Sequence, residues 1–581
     1  MWQKNAMFIG LCLLGAAGIS ATLLRRDRIE TPRDFAPHRF IKTTSAKSTP
    51  SDPGKPKPVG EATPPSLLRP QPTPHSDMGE ALARLNAEFQ QHWQGKQLQL
   101  APRADDLTIA RRLSLAMTGA VPSLEEIRAL EQVEPDERTE WWVSHLLEDR
   151  RYADYFAERL ARAYVGIEDG PFLVYRRRRF VTWLSENLAA NTPYDVIVRQ
   201  LISDNGIWTG SPATNFVTVT SRQDMDNEPD EIRLAGRTSR AFLGMRIDCL
   251  QCHDDKLGTI LVGDTSSPRS GTQADFHQLA AFFAEADVGL VGVYNGDQPY
   301  EYKYLNAEKD VIVPPKVPFA TEILPGHGTR REQLARWVTS PDNKPFARAT
   351  VNRVWALMFG RPLVEPIDDI PLFGSYPPGL ELLAEDFVDH DYDLQRLIRL
   401  IAASDPFQRD SRADFEITPD HETEWAAFPL SRLRPEQVAG ALIQASSLTT
   451  VDGQSHIVWQ LAKFGQTNDF VKRYGDIGQD EFDDRGGTIP QRLLLMNGQL
   501  VKERTDENIV TNAATRIARQ TPKATQAIEA AYLAVLTRRP SETELEHFVA
   551  RLEGQRKQKR VQAMEDIYWV LINSTEFSWN H

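Results

Sequence analysis

Apolar residues recur every three or four positions along most of this chain after residue 78, and this spacing most constrains its fold. Phe276, Leu279 and Phe283 follow it, which would place them on one face of a helix. Ser123 and Glu126 fit a capping box at a helix start. Similar spacing predicts helices at residues 331–338, 347–358, 394–403, 436–446, 525–536, 542–552 and 561–571. The body is therefore predicted to be mainly α, with many helices.

Two stretches near the middle of the chain differ from this pattern. Residues 288–293 and 301–313 are rich in β-branched and tyrosine side chains, which are typical of strands. We therefore expect a small β insertion around residues 286–315 within the multi-helix body.

The N-terminal end carries an apolar segment. No residue from 6 to 24 is charged, and a helix of that length reaches about 28 Å, close to the roughly 30 Å of a bilayer core. This predicts a transmembrane anchor within residues 1–28, with a cleaved signal peptide as the alternative. Arg25, Arg26 and Arg28 favour a cytoplasmic body by the positive-inside rule, although a long domain can cross the membrane despite such charges.

A proline-rich stretch follows the apolar segment. Nine prolines fall between residues 50 and 74 among Ser, Thr, Lys and Gly, so residues 29–77 are predicted to be a disordered linker. Three further units are expected: a helical domain at 78–285, a β-containing connector at 286–325 and a second helical domain at 326–581. The net charge of −13 argues against nucleic acid as the main partner.

Residues 249–253 read C-L-Q-C-H, the attachment signature of c-type haem. In such a site Cys249 and Cys252 form thioethers with the two vinyl groups, and His253 becomes the proximal iron ligand. With 3 cysteines and 12 histidines in 581 residues, composition alone would give about 2 × 10⁻⁴ such matches. Chance is therefore a poor explanation of the motif.

Other interpretations of the cysteine motif stay open. The two thiols could form a redox pair, remain buried and inert, or bind a structural metal such as zinc. A metal site would need another ligand, for which Asp255 and His277 are the candidates. If haem is bound, His277 is also the best candidate for the distal ligand, and an open distal site is the alternative.

Two polar clusters later in the chain could carry other chemistry. Glu365, Asp368 and Asp369 could supply the acid and base groups of a hydrolase acting on envelope polysaccharide. Arg348 and its neighbours Asn352 and Arg353 could pair with these aspartates in a buried network. No nucleotide-binding loop, nucleophile elbow or H-E-x-x-H pattern occurs.

Several blocks in order resemble the planctomycete cytochrome C-type domain family. Residues 111–115 read R-R-L-S-L, residues 118–119 read T-G, and residues 240–244 read R-A-F-L-G before the cysteine motif. Later blocks are similar to the companion C-terminal domain of unknown function: L-A-R-W-V-T-S-P at 334–341, N-R-V-W at 352–355, F-G-R at 359–361, L-M-N-G at 495–498 and L-I-N-S-T-E-F at 571–577.

The resemblance implies a cell-envelope protein with a haem-binding type of motif, but it supplies no reaction. The family usually has C-H-D-H-K, where this chain has Asp255 in place of the second histidine. We expect a membrane-anchored protein whose body lies outside the cytoplasm, in a periplasmic or similar space, and which binds haem c for electron transfer. The alternatives are a scaffold with a metal or an empty motif, and the hydrolase. Its partners would be the membrane and either a redox protein or an envelope polysaccharide.

Limited proteolysis tests the predicted linker. Because a proline-rich stretch without large apolar residues cannot form a core, we expect cleavage between residues 43 and 76 to release a stable body. Electrophoresis and mass spectrometry of the fragments locate the cuts. Protection of this stretch while the body is digested would contradict the prediction.

Overall fold

The computed structural model describes residues 77–166, 177–220, 229–289, 292–305, 307–451, 470–471, 473–474, 482, 488–498, 501–502 and 512–581. The predicted anchor at 6–24 and all but the last residue of the predicted linker lie outside these residues. Within the described part of the chain, no helix is both long and apolar enough to cross a bilayer.

Helices dominate the described residues, which contain 22 α-helices and only short strands. The predicted mainly α class is therefore confirmed. The first ten helices are α1 Met78–Lys96, α2 Asp106–Thr118, α3 Leu124–Leu130, α4 Arg138–Glu148, α5 Arg150–Val165, α6 Arg177–Ala189, α7 Tyr194–Ser203, α8 Asn215–Thr218, α9 Glu231–Leu243 and α10 Gln273–Ala280. The others are α11 Arg330–Val338, α12 Lys344–Phe359, α13 Leu380–Asp389, α14 Leu394–Ala403, α15 Asp405–Gln408, α16 Pro419–Thr423, α17 Pro435–Ala445, α18 Ile489–Asn497, α19 Ala513–Gln520, α20 Ala524–Leu536, α21 Glu542–Leu552 and α22 Lys557–Ile572.

The strands form four antiparallel pairs, each of two strands. They are β1 Leu261–Asp264 with β2 Ser267–Ser270, β3 Ala286–Gly289 with β4 Gly292–Asn295, β5 Glu301–Tyr302 with β6 Val311–Ile312, and β7 Ser431–Arg432 with β8 Trp579–Asn580. The second and third pairs lie within the predicted β insertion at 286–315. The first and last pairs lie outside this insertion and were not predicted.

The buried apolar side chains form two clusters. The larger one runs from α1 to Phe428 and joins Phe89 of α1 to Trp355 of α12, whose rings stack at 5.9 Å. The smaller one gathers α17 and the helices after it, and also includes Leu115 and Val121 from the start of the body. Each cluster therefore combines residues that are far apart in sequence.

A buried ion cluster fixes the start of α3. The predicted capping box is confirmed, because Ser123 N–H donates to Glu126 Oε2 at 2.8 Å and Glu126 N–H donates to Ser123 Oγ at 3.0 Å. Glu126, which is 3% exposed, also pairs with Arg151, and Arg151 lies 2.7 Å from Asp149. Burial would raise the pKa of Glu126, but Arg151, His145 and Ser123 outweigh it and lower the pKa to about 2.

Glu126→Gln tests this cluster. Because the pKa of Glu126 falls from 4.5 to about 2 on folding, its contribution is complete above pH 4.5 and is lost as the pH falls towards 2. We expect the substitution to lower the free energy of unfolding at neutral pH by about 3–5 kcal/mol. We also expect it to flatten the loss of stability below pH 4.5.

Urea unfolding across this pH range measures both effects. The control is Glu125→Gln, which removes an exposed carboxylate from the adjacent position. Equal decreases in the free energy of unfolding for the two variants would show that the buried pair of Glu126 and Arg151 adds no more stability than an exposed carboxylate.

Candidate functional site

The cysteine motif begins on a 3₁₀ turn, Asp248–Gln251, that follows α9; Cys252 caps the end of this turn and His253 comes directly after it. Leu250 is 0% exposed and fixes the turn to the body, whereas Cys249 and Cys252 are exposed, free thiols. Leu250 also closes the space beside Gly271, where an added Cβ would approach Leu250 Cδ1 to 2.6 Å. The turn therefore presents both thiols outward from a buried apolar attachment point.

The end of α9 is docked against the second half of the chain. Gly244 ends the helix with a φ of 60°, and an added Cβ would approach Ile370 Cδ1 to 3.0 Å and Ala349 Cβ to 3.2 Å. Ile370 N–H donates to the Gly244 carbonyl at 2.7 Å. Glycine is favoured here because the left-handed conformation and the close approach both disfavour a side chain.

Ion pairs hold the residues just before the motif. Arg240 Nε lies 2.7 Å from Asp248 Oδ2, and Arg246 Nε lies 2.6 Å from Asp368 Oδ1. Burial raises the pKa of Asp369, which Arg246 opposes. Glu365 pairs separately with Arg361 at 2.6 Å. Asp368 therefore pairs with an arginine just before the motif, whereas Glu365 pairs with an arginine of its own segment.

The backbone carbonyl of Gln251, between the two cysteines, receives three side-chain donors. His277 Nε2 and Gln273 Nε2, both on α10, lie 3.0 Å from this oxygen, and the Tyr302 hydroxyl on β5 lies 3.2 Å from it. Gln273 Nε2 also lies 3.2 Å from the Tyr302 hydroxyl. We call these three side chains the carbonyl clamp.

His277 is the central member of the carbonyl clamp. Its Nε2–H donates to Gln251, its Nδ1 lies 2.9 Å from the Tyr300 hydroxyl, and its ring stacks on Tyr302 with centroids 3.4 Å apart. Burial lowers the pKa of His277, while the bond to the Gln251 carbonyl opposes that shift. Both ring nitrogens are therefore engaged, and His277 would have to release one before it could bind iron.

His253 is exposed and has a different environment. Its Nδ1 lies 3.0 Å from the Asp254 carbonyl oxygen, which can only accept, so Nδ1 carries the proton. In the neutral ring the lone pair then resides on Nε2, the nitrogen available to a metal. A histidine that binds a metal through one ring nitrogen usually donates a hydrogen bond from the other ring nitrogen, as His253 does here.

Asp255 organises the loop after the motif. Its carboxylate accepts from the N–H groups of Ile260 at 2.7 Å, Leu257 at 3.0 Å and Gly258 at 3.1 Å. The bond from Ile260 is the largest influence that lowers the pKa of Asp255. Among the described residues, no three His, Cys, Asp or Glu side chains form a group that could hold a metal ion. The structure thus does not bring Asp255 or His277 together with the cysteines as a metal site.

The predicted network around Arg348 is arranged differently from expectation. Arg348 pairs with Glu381 at 2.5 Å, and Asn352 binds the backbone of Val364 at 2.9 Å. Neither side chain is paired with Asp368, which pairs with Arg246 instead. The physical reason is that the Asn352 amide bonds to the backbone of Val364 and Ile367, so it stabilises the loop and not the carboxylates.

The sequence did not reveal Gln273 and Tyr302 as members of the carbonyl clamp. One available signal was the alternation of Tyr300, Tyr302 and Tyr304, which places tyrosines at the spacing of one strand face. The acceptor itself had no sequence signal, because every residue has a backbone carbonyl.

His277→Gln tests the carbonyl clamp through its pH dependence. Because burial lowers the pKa of His277 below 6.5 in the folded state, its stabilising effect is complete above that pH and declines as the pH falls below it. Gln can still donate a hydrogen bond but does not titrate. We expect the stability difference between wild type and His277→Gln, measured by urea unfolding, to shrink between pH 7.5 and pH 5.

The control for this measurement is His253→Gln, which removes an exposed imidazole from the same region. Because this side chain is exposed and takes no part in the carbonyl clamp, the substitution should change the free energy of unfolding little. A pH-independent difference for His277→Gln would contradict a buried neutral imidazole at this position.

Comparison with known families gives two matches in succession. Residues 84–288 match the family PSCyt2, described as a protein of unknown function (DUF1549). Residues 330–475 match PSD1, also described as a protein of unknown function (DUF1553). The chain matches no curated protein and no solved structure. The cysteine motif and the α10 part of the carbonyl clamp therefore lie in the segment that matches DUF1549, and the segment that matches DUF1553 follows it.

Proposed function

We propose that this chain is a membrane-anchored cell-envelope protein that binds a c-type haem at Cys249, Cys252 and His253 and acts in electron transfer or another redox process. The observation that carries this proposal is the hydrogen bond from His253 Nδ1 to the Asp254 carbonyl, in a motif whose two thiols are free and exposed. Because its Nδ1–H is held by the Asp254 carbonyl, Nε2 is left as the donor to iron. When bound, haem supplies reversible one-electron chemistry.

The cysteine side chains of this segment fit the covalent attachment of haem. Thioether formation needs two accessible thiols at the C-x-x-C spacing, and Cys249 and Cys252 meet that need. Leu257 and Leu305 are 87% and 72% exposed, and Leu305 N–H lies 3.4 Å from Gln273 Oε1, beside the carbonyl clamp. These side chains offer apolar surface that a macrocycle could cover, which would stabilise the complex.

His277 has a positioning role in this proposal. It holds the carbonyl between the cysteines and thereby fixes the turn that sets the spacing of the thiols. A distal bond from His277 would break that contact, so we favour a distal position that His277 does not fill.

The location follows from the chemistry proposed. Haem is attached in this way outside the cytoplasm, so residues 6–24 would anchor the chain and residues 29–77 would let the body extend into the periplasm or a similar space. The body would then exchange electrons with a redox partner in the envelope.

The other functions receive less support from the described residues. A structural zinc would need ligands beyond the cysteine motif, and Asp255 is bound to its own loop. An envelope-polysaccharide hydrolase would need a free pair of carboxylates, whereas Glu365 and Asp368 are paired with arginines.

Absorption spectroscopy of the full chain, produced in a host that attaches haem c, tests the proposal. We expect a Soret band that stays with the polypeptide after acid-acetone extraction, because thioethers are covalent. Replacing both Cys249 and Cys252 by serine should abolish it. His253→Ala should retain covalent haem but alter the spectrum, because the proximal ligand is lost.

Cys12→Ser is the matched control, since it removes the remaining cysteine of the chain and should leave the band unchanged. His277→Gln should keep the spin state of wild type if His277 only positions the turn. A full chain with no Soret band but with stoichiometric zinc would overturn the proposal in favour of a metal scaffold.

A further inference from the structure

Asp77, the residue directly before α1, is held by two helices that follow much later in the chain. Its carboxylate does not cap α1. Asp77 Oδ2 lies 2.7 Å from His390 Nε2, and Asp77 Oδ1 lies 3.3 Å from Arg396 Nη1. His390 directly follows α13, and Arg396 lies on α14. These contacts fix the position at which the predicted linker, residues 29–77, reaches the body.

Both ring nitrogens of His390 face oxygens that can only accept hydrogen bonds. Nε2 faces the Asp77 carboxylate, and Nδ1 lies 2.8 Å from the carbonyl oxygen of Asp386 and 3.4 Å from its carboxylate. A neutral imidazole carries one N–H group and can satisfy only one of these sides, whereas an imidazolium satisfies both. The geometry therefore favours the charged form of His390.

The charged groups that face His390 come from three elements. Asp77 precedes α1, Asp386 lies on α13, and Arg396 on α14 holds the Asp386 carboxylate with bonds of 2.8 and 2.9 Å. Burial lowers the pKa of His390, but the Asp386 carbonyl and the two carboxylates outweigh burial and the charge of Arg396, so the pKa is raised. The bond from His390 is the largest influence on Asp77 and lowers its pKa to about 2. The two partners therefore carry opposite charges in mildly acidic solution.

We propose that His390, Asp77, Asp386 and Arg396 form a pH-sensitive clasp, which holds the start of α1 in mildly acidic solution and releases it in alkaline solution. When His390 loses a proton, one of its ring nitrogens presents a lone pair to an acceptor. The Asp386 carbonyl belongs to the helix that His390 follows, whereas the Asp77 side chain is 51% exposed and can turn away. The contact that opens is therefore the one between His390 and Asp77.

The pH range of the clasp follows from the directions of the two pKa shifts. The pKa of His390 is raised above 6.5 on folding, so its contribution is complete below pH 6.5 and is lost as the pH rises through the folded value. The pKa of Asp77 falls from 3.8 to about 2, so its contribution is complete above pH 3.8 and is lost only as the pH falls towards 2. The clasp is therefore closed between pH 3.8 and pH 6.5 and opens as the pH rises further.

Opening of the clasp affects the first turn of α1. Ala81 N–H donates to the Asp77 carbonyl at 3.0 Å, so the first helical hydrogen bond depends on the position of Asp77. Leu85 and Phe89 are 0% exposed and hold the rest of α1 in the larger apolar cluster. Release therefore lengthens the linker at its junction with the body, without unfolding the body. The clasp shares no residue with the cysteine motif and does not depend on haem.

Hydrogen–deuterium exchange of the full chain tests the clasp, with mass spectrometry of the peptide that contains residues 78–84. Exchange is measured from pH 5.5 to pH 9 and corrected for the intrinsic dependence of amide exchange on pH. We expect the protection of this peptide to fall by about two- to fivefold as the pH rises, the range for a half-exposed charge pair. His390→Gln can still donate to Asp77 but does not titrate, so its protection should not change with pH.

Asp77→Asn gives a second test at an exposed position. It removes the carboxylate that His390 holds, so the protection should stay low at every pH. The matched control is His92→Gln, which alters another histidine of α1, paired with Glu424 at 2.6 Å, and should keep the pH dependence of wild type. Constant protection in wild type, or the wild-type fall with pH in either His390→Gln or Asp77→Asn, would overturn the clasp.

Discussion

The backbone carbonyl of Gln251 is the acceptor on which the geometry of the cysteine turn depends. A carbonyl oxygen has two lone pairs, and here it faces three side-chain donors from two elements, α10 and β5. Side chains can exchange rotamers, but a backbone oxygen moves only with the turn itself. Fixing this atom therefore fixes the positions from which Cys249 and Cys252 project, while leaving both thiols free.

Charge and close packing also hold the segment that leads into this turn. Arg240 and Asp248 pair beside Cys249, and the Gly244 carbonyl accepts from Ile370 N–H beyond the matched DUF1549 segment. The larger apolar cluster likewise runs from α1 to Phe428 without a break at the segment between the two family matches. The two matched segments are thus joined by a shared core as well as by the chain.

Sequence patterns predicted nine of the 22 described α-helices, because burial repeats along them. The helices at 394–403 and 542–552 have the predicted bounds, and the capping box at Ser123 has the predicted bonds. The pair β1 and β2 was missed because most of its side chains are exposed and lack the alternation that marks a half-buried strand. Residues 288–293 were predicted as one strand, but Gly292 has a φ of 113° and the chain reverses there into β4.

The candidate site was predicted only in part, for a physical reason. The thiols and His253 form a local pattern, which a sequence can show. The partners of Gln251 lie 22, 26 and 51 residues away, and their acceptor is a backbone atom.

The close approach of Gly244 to Ala349 and Ile370 limits which substitutions this chain can accept during evolution. A larger residue at position 349 or 370 would press on the backbone that leads into the cysteine turn. Substitutions in one matched segment are therefore limited by their steric fit to the other segment. If either segment were replaced by that of a distant relative, the two contacting surfaces would no longer be complementary. The two matched segments are therefore expected to evolve together, even though sequence comparison separates them.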